Sequence, residues 1–309
     1  MSKEPTAFID IKGLTKTFGE VAAIKGISLS LSNGTYGLIG PNGAGKTTLM
    51  KLLLGLIRPT KGKISILGNP PGSPEANAAI GYLSENMGYY DDLSAVEYLQ
   101  YFAHLFAMPD EKAAKRIATL LKEMELDERK DDPISTYSKG MRQRLGVARA
   151  MLHRPAVYIL DEPLSGLDPT GRKDVLKALT VLKQQGKTIL ISSHELKDMD
   201  MICDHLCVMK EGRILAQGTP KELMSEDNLS RETLAFNIHT PSEIINELPK
   251  AVPEILEFKY EGEDLTIVIK HDPTTERKIL SWLLEKNIDF SQKKHVIDSI
   301  YTQLFQEGK

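Results

Sequence analysis

Cysteine is almost missing from this 309-residue chain, which has only Cys203 and Cys207. Two thiols are too few for a disulfide framework or a closed zinc site. They stand four apart with His205 between them, where the end of a helix runs into the apolar stretch Cys203 to Met209, and read as small buried hydrophobes. Long hydrophobic runs are missing too. No stretch approaches the ~18 apolar residues that a helix needs to cross a bilayer. The opening residues, Met1 to Pro5, lack the basic-then-apolar layout of a signal peptide, so the chain is expected to stay in the cytosol. Nor is there an excess of one charge: 39 Lys and Arg against 42 Asp and Glu leave a formal net charge of −3, which gives no whole-chain attraction to nucleic acid. What is left, 41% hydrophobic and 26% charged residues, is the composition of an ordinary globular protein with room for one large and one small domain.

The chain does have a glycine-rich loop closed by lysine and two hydroxyl residues: Gly40, Pro41, Asn42, Gly43, Ala44, Gly45, Lys46, Thr47 and Thr48. It follows the apolar extended run Tyr36 to Ile39 and opens a helical stretch from Thr48 to Leu56, the strand-loop-helix setting in which such loops cradle phosphates. Gly40, Gly43 and Gly45 are expected to take positive φ and to bring successive N–H groups towards an anion at a helix N-terminus. Lys46 is expected to reach the β- and γ-phosphates, and the Thr47 hydroxyl to ligate Mg²⁺.

Around this loop the pattern alternates strands and helices. Residues 7 to 37 carry short apolar runs separated by turns, the mark of a small antiparallel sheet, and a strand pair is expected around Lys63 to Leu67. Ile80 to Leu83 forms a further strand. From Ser94 to about Leu126 the pattern is helical, with Ile117, Leu120, Leu121 and Met124 on one face, and a new helix is expected from Met141 to about His153. Ala156 to Leu160 and Thr188 to Ile191 read as parallel strands buried on both faces. Between them Asp168 and Pro169 start a helix lined by Val175, Leu176, Leu179 and Leu182. Strands alternating with helices imply right-handed βαβ units, with ligands off the strand C-terminal ends. The expected fold is therefore α/β: a P-loop NTPase core with a mainly parallel sheet, an N-terminal antiparallel sheet and a helical insertion over about 88–153. Domain boundaries are expected at 1–225, a polar linker 226–232, and a small α+β domain 233–309. Its pattern reads as strand 234–239, helix Ser242 to Leu248, strand 255–260, strand 265–270, helix Pro273 to Lys286, strand 288–291 and helix Val296 to Gln306. That order is ferredoxin-like.

Chemistry-bearing residues fall at the expected strand ends. Asp161 can hold Mg²⁺, and Glu162 can polarise a water in line with the γ-phosphate. His194, just past the strand 188–191, stands within reach of that phosphate. Phe18, in a polar turn, is either a local packing anchor or a stacking platform for a base.

Together these stretches resemble the nucleotide-binding subunit of an ABC transporter, over roughly residues 7 to 225 and with the motifs in the family's order. Ser165 to Asp168 resembles the D-loop, and Tyr137 to Gln143 the signature motif. Phe18 falls where the family places an adenine-stacking aromatic. The resemblance implies ATP and Mg²⁺ as cofactors. Glu162, His194 and Lys46 would serve catalysis. Phe18, the loop from Gly40 to Thr48, Ser138, Gly140 and Asp168 would bind nucleotide, and Thr47, Asp161 and Glu85 would face the metal. It also implies a head-to-tail dimer in which Ser138 to Gly140 of one copy completes the γ-phosphate site of the other, and a separate permease chain on the cytoplasmic face of the membrane, docked near Glu85 to Asp92. Two departures stand out. Lys139 and Met141 replace residues usual in the signature, and Glu85 replaces a usual Gln. Both variants resemble those of bacterial exporters whose permease is a separate chain. A soluble relative acting on ribosomes or DNA would have two such domains or a long coiled-coil insertion, and a P-loop kinase would not explain the stretch Tyr137 to Gln143 or His194.

Overall fold

In the computed structural model, residues 8–85, 87–193, 199, 201–225, 234–238, 252–253, 255–261, 264–269, 273–286 and 290–294 are described. They divide into two compact units, Met1–Gln217 and Gly218–Lys309. The expected linker 226–232 and the expected helices Ser242 to Leu248 and Val296 to Gln306 lie outside the described residues.

The first unit holds two sheets. Strands β1 (Ile9–Phe18) and β2 (Val21–Leu31) pair antiparallel. In β2 Ile27, Leu29 and Leu31 are buried while Ser28 and Ser30 are exposed, the period-2 pattern of a sheet with one wet face. Next, β3 (Gly34–Ile39) crosses into the second sheet and runs into the loop before α1 (Lys46–Leu53). β4 (Lys61–Ile66) pairs with the other edge of β1, so the strand pair expected near Lys63 is a single strand that returns to an existing sheet. A short helix missing from the sequence pattern, α2 (Pro74–Ala79), starts at Ser73, whose Oγ accepts the Ala76 N–H at 3.2 Å. It leads into β5 (Ile80–Leu83).

The helical stretch after Ser94 resolves into α3 (Ala95–Leu105) and α4 (Asp110–Glu123). Ala107 turns left-handed (φ 50) and Pro109 precedes the first turn of α4, which is why one continuous pattern breaks in two. A reciprocal Ser94–Glu97 cap fixes the start of α3. Ile117, Leu120, Leu121 and Met124 are all buried, as their spacing demands. Helix α5 (Lys139–Met151) begins two residues earlier than expected, because the Ser138 Oγ accepts the Met141 N–H at 3.2 Å and so caps a turn that already includes Lys139 and Gly140.

β6 (Val157–Asp161), α6 (Pro169–Gln184) and β7 (Thr188–Ser192) follow, then β8 (His205–Lys210) and β9 (Arg213–Gly218). The six strands order as β5-β6-β7-β3-β8-β9. β3 pairs parallel with both β7 and β8, and β6 pairs parallel with β5 and β7. The first strand of the set thus lies inside the sheet, and the loop that leaves it opens beside the C-terminal ends of β6 and β7, the place where open parallel sheets bind ligands.

The second unit contains helices Pro220–Ser225 and Pro273–Glu285 and two antiparallel pairs, Leu234–Ile238 with Phe290–Lys294 and Ile255–Glu261 with Asp264–Ile269. Ile279 and Leu283, one turn apart on the longer helix, are buried.

Candidate nucleotide site

The loop between β3 and α1 is built on its glycines, for two different reasons. Gly43 and Gly45 take positive φ, 80° and 104°, as expected. Gly40 does not. It is required by close approach instead, since a Cβ there would come within 2.3 Å of the Met209 carbonyl oxygen. The turn after β8 clamps the loop from outside, with the Gly212 N–H donating to the Ala44 carbonyl at 2.9 Å. The first amides of α1 have no partner within the helix and carry its positive dipole end. Lys46 Nζ donates to the Gly40 carbonyl at 2.6 Å and to the Pro41 carbonyl at 3.3 Å. Its ammonium is thus held across the loop mouth.

The opposing wall comes from sheet register. Asp161 at the end of β6 is aligned with Ser192 at the end of β7. Ser192 Oγ donates to Asp161 Oδ1 at 2.6 Å and accepts the Glu162 N–H at 3.0 Å, while Thr47 Oγ1 donates to Asp161 Oδ2 at 3.3 Å. Both carboxylate oxygens of Asp161 are oriented in this way. Glu162 sits in the left-handed region (φ 50), uncommon for a residue with a side chain, and its carbonyl accepts the Gln143 amide from α5 at 3.1 Å. With the Ser165 N–H also donating to that carbonyl at 3.1 Å, three hydrogen bonds hold the left-handed backbone of Glu162.

Between the walls lies a cleft of about 430 Å³, whose lining includes Asn42, Lys46, Thr47, Glu85, Asp161 and Glu162. Burial lowers the pKa of Lys46, and the carboxylates of Glu162, Asp161 and Glu85 oppose that shift. Three carboxylates face one ammonium here, an unfavourable balance for a polyphosphate alone. The hydroxyl of Thr47 and the carboxylates of Asp161 and Glu85 are hard oxygen donors of the kind Mg²⁺ prefers, and a divalent cation would offset their charge. The residues therefore fit a magnesium–nucleotide complex.

Of the residues singled out by sequence, Pro41 to Thr48, Glu85, Asp161 and Glu162 meet at this cleft. Phe18, Ser138, Gly140 and Asp168 do not line it. Phe18 is 49% exposed at the end of β1, with Lys16 Nζ 4.8 Å from its ring centroid. Asp168 caps α6 through the Gly171 N–H at 3.1 Å. Lys139 lays its side chain on Gly166, where a Cβ would come within 2.6 Å of its Cε. His194 lies outside the described residues. Sequence reasoning missed Ser192, Gln143 and Gly212. For Ser192 the signal was present, a serine closing an otherwise apolar buried strand. For the other two it was not, because nothing around Gln143 or Gly212 marks them for the Glu162 and Ala44 carbonyls that they meet. Cys203 and Cys207 are buried and form no disulfide, and burial pushes the Cys207 thiol up to about 12.

Known proteins resemble this chain in sequence and in fold. The sequence pattern of a family described as "ABC transporter" matches residues 24–165. An uncharacterized ABC transporter ATP-binding protein of Synechocystis is 42% identical over 211 residues, covering 67% of this chain and 60% of that protein. The match thus spans less than two thirds of that relative's length. The Nod factor export ATP-binding protein I of Burkholderia orbicola is 37% identical over 273 residues, covering 87% of this chain and 88% of that protein. Among solved structures, the ATP binding subunit of an ABC transporter superposes with a TM-score of 0.67 at 30% identity, covering 70% of this chain and 92% of that one.

Proposed function

Since the chain belongs to the ATP-binding proteins of ABC transporters, we propose that it binds and hydrolyses ATP with Mg²⁺ to drive a separate membrane permease, and that the direction is export. The observation that carries this reading is the meeting of Lys46 and Thr47 with Asp161 and Glu162 across one cleft. Export is supported by the name of the Burkholderia relative and by the exporter-like variants at Lys139, Met141 and Glu85.

In this reading the amides of the loop and Lys46 hold the β- and γ-phosphates, and Phe18 offers its exposed ring to the adenine. Thr47 and Asp161, with Glu85 nearby, would hold the magnesium ion, which neutralises phosphate charge. Glu162 accepts the proton of the attacking water, and His194 contacts the γ-phosphate. Ser138 and Gly140, together with Asp168, serve the γ-phosphate held by a second, head-to-tail copy. None of the three lines the cleft of its own chain, which supports that assignment.

In this reading, coupling to the permease would run through contacts between the segment around Tyr89 to Asp91 and α5. The Tyr89 hydroxyl donates to the Arg142 carbonyl at 2.5 Å, and the Arg142 guanidinium pairs with Asp91 at 2.7 Å. The segment proposed to touch the permease is thereby tied to the first turns of α5, which also carry Ser138 to Gly140. Tyr90 of that segment, 53% exposed, meets Tyr101 of α3, 43% exposed, edge-on at 5.4 Å, and the pair makes an aromatic outer face of the sort found at interfaces.

The test is to tag a Glu162→Gln chain, solubilise membranes mildly with ATP, and identify what co-purifies. A polytopic membrane protein is the expected result. Ribosomes or DNA without one would transfer the chain to the soluble, non-transport reading.

A further inference from the structure

A second cleft, of about 510 Å³, opens between α4, the turn after α3 and the turn joining α5 to β6, and it shares no lining residue with the nucleotide cleft. Lys112, Lys115 and Arg116 line it from one face of α4, and Arg154 faces them from the α5–β6 turn. No aspartate or glutamate lines it. In a chain of formal net charge −3, four cations gathered around one cavity call for a physical reason.

The carboxylates nearby leave most of this charge uncompensated. Glu111 reaches Lys115 at 2.6 Å, but both are largely exposed, so the pair is worth little. Arg116 donates from Nη2 to the Met151 carbonyl at 3.0 Å, while its Nε is buried without a partner. Burial lowers the pKa of Arg116; Glu123 opposes the shift, and Arg154 adds to it. Like charges are thus held together at a half-buried position. Arg154 also takes a left-handed backbone (φ 54). The inner wall is flat and apolar, with Phe106 stacked on His153 at a centroid distance of 3.8 Å and an angle of 12°. His153 Nε2–H donates to the Ile80 carbonyl at 3.0 Å, and burial holds its pKa down to about 4, so the ring adds surface and no charge at neutral pH.

We propose that this cleft binds a phosphate-type anion carried on an apolar or aromatic body, with Lys112, Arg116 and Arg154 on the phosphate and the Phe106–His153 wall against the body. An acidic phospholipid headgroup and a soluble phosphate ester share this chemistry. The pairing of a cationic rim with a flat hydrophobic wall is what distinguishes the cleft from a solvated basic face.

The experiment uses the full chain with Lys46→Ala, to weaken phosphate binding at the nucleotide loop. Phenyl phosphate is titrated into it by calorimetry, and in parallel the chain is sedimented with phosphatidylcholine vesicles with and without phosphatidic acid. Each measurement is repeated with Lys112→Glu/Arg154→Glu added, and with Lys61→Glu/Lys63→Glu as a charge-matched control on exposed β4 positions. Binding to one probe, weakened roughly tenfold or more by the first pair and not by the control, is expected. Phenyl phosphate binding identifies a soluble ligand, and binding dependent on phosphatidic acid identifies a lipid. Binding of neither probe, or equal loss in both pairs of variants, overturns the proposal. ATP hydrolysis measured in the Lys112→Glu/Arg154→Glu chain with Lys46 intact should be unchanged, so failure here leaves the ATPase reading untouched.

Discussion

The two segments that meet helix α5 differ in how far one chain completes them. At the strand ends, the Asp161 carboxylate is bonded by Thr47 and Ser192, and the Glu162 backbone by Ser192 and Gln143, the last of these reaching out from α5 itself. At the start of α5, the Ser138 hydroxyl accepts the Met141 N–H, and a Cβ added at Gly140 would have Leu167 Cδ2 at 3.6 Å and Ser138 Oγ at 3.9 Å as its nearest side-chain neighbours, so the backbone there is open to approach. A helix N-terminus with amides in its first turn and a glycine in place of a side chain is suited to an anion. The contrast teaches that one chain closes the strand-end half by its own hydrogen bonds and leaves the start of α5 open, the half that the proposed head-to-tail dimer would bring to a phosphate held by another copy.

The largest expected effect tests the finished half. Glu162→Gln should lower ATP turnover by roughly 10²–10⁴-fold while leaving nucleotide affinity nearly unchanged, since only proton transfer is removed. Turnover at the wild-type rate would show that the base is another group. Gly140→Asp tests the open half by placing a negative charge where a γ-phosphate is proposed. Turnover should fall on the order of tenfold to a hundredfold, with ATP affinity of the isolated chain preserved. If that affinity falls as well, the contrast between the halves is lost. Lys46→Ala should weaken nucleotide binding by about 1.5–3 kcal/mol, the usual worth of a charge-assisted hydrogen bond, and a titration measures it directly.

Ser192→Ala sharpens the picture of the finished half. It leaves the buried Glu162 N–H without its acceptor and frees one oxygen of Asp161, so stability should drop by about 1–3 kcal/mol in denaturant unfolding. The Mg²⁺ concentration for half-maximal turnover should rise several-fold. A purely structural role would lower stability alone. The smallest effect lies away from both halves. Unfolded His153 protonates near pH 6.5 and the folded residue only near 4, because burial disfavours its charge. The unfolded state therefore binds more protons in that window, and stability falls as pH drops from 6.5 to 4. After allowance for partial exposure, the loss should be roughly 1–2 kcal/mol. His153→Phe should remove that share of the acid sensitivity in thermal melts at the two pH values.

Most of the site was legible because its parts are local. Gly40 to Thr48 is one continuous loop, and Asp161 and Glu162 directly follow a run of apolar residues that can only be a buried strand. The helical face of Ile117, Leu120, Leu121 and Met124 was legible for the same reason, since periodicity is a property of adjacent residues. Where the reading slipped, a short-range competitor decided. Pro109 and the left-handed Ala107 split one helix into two, and the Ser138 cap drew Lys139 and Gly140 into α5. Gly40 was assigned positive φ, whereas its role is to let the Met209 carbonyl approach, a contact across 169 residues that no local pattern contains.

By itself, then, the sequence determined the chemistry of the phosphate loop, the identity of the strand-end carboxylates and the α/β order of the elements, because each depends on residues within a few positions of one another. Only the tertiary structure decided that Ser192 bridges Asp161 and Glu162, that Gln143 reaches back from α5, and that four cations surround a cleft against Phe106 and His153. Those relations follow from strand register and helix packing, which bring distant residues within hydrogen-bonding range through the burial of apolar faces and not through spacing along the chain.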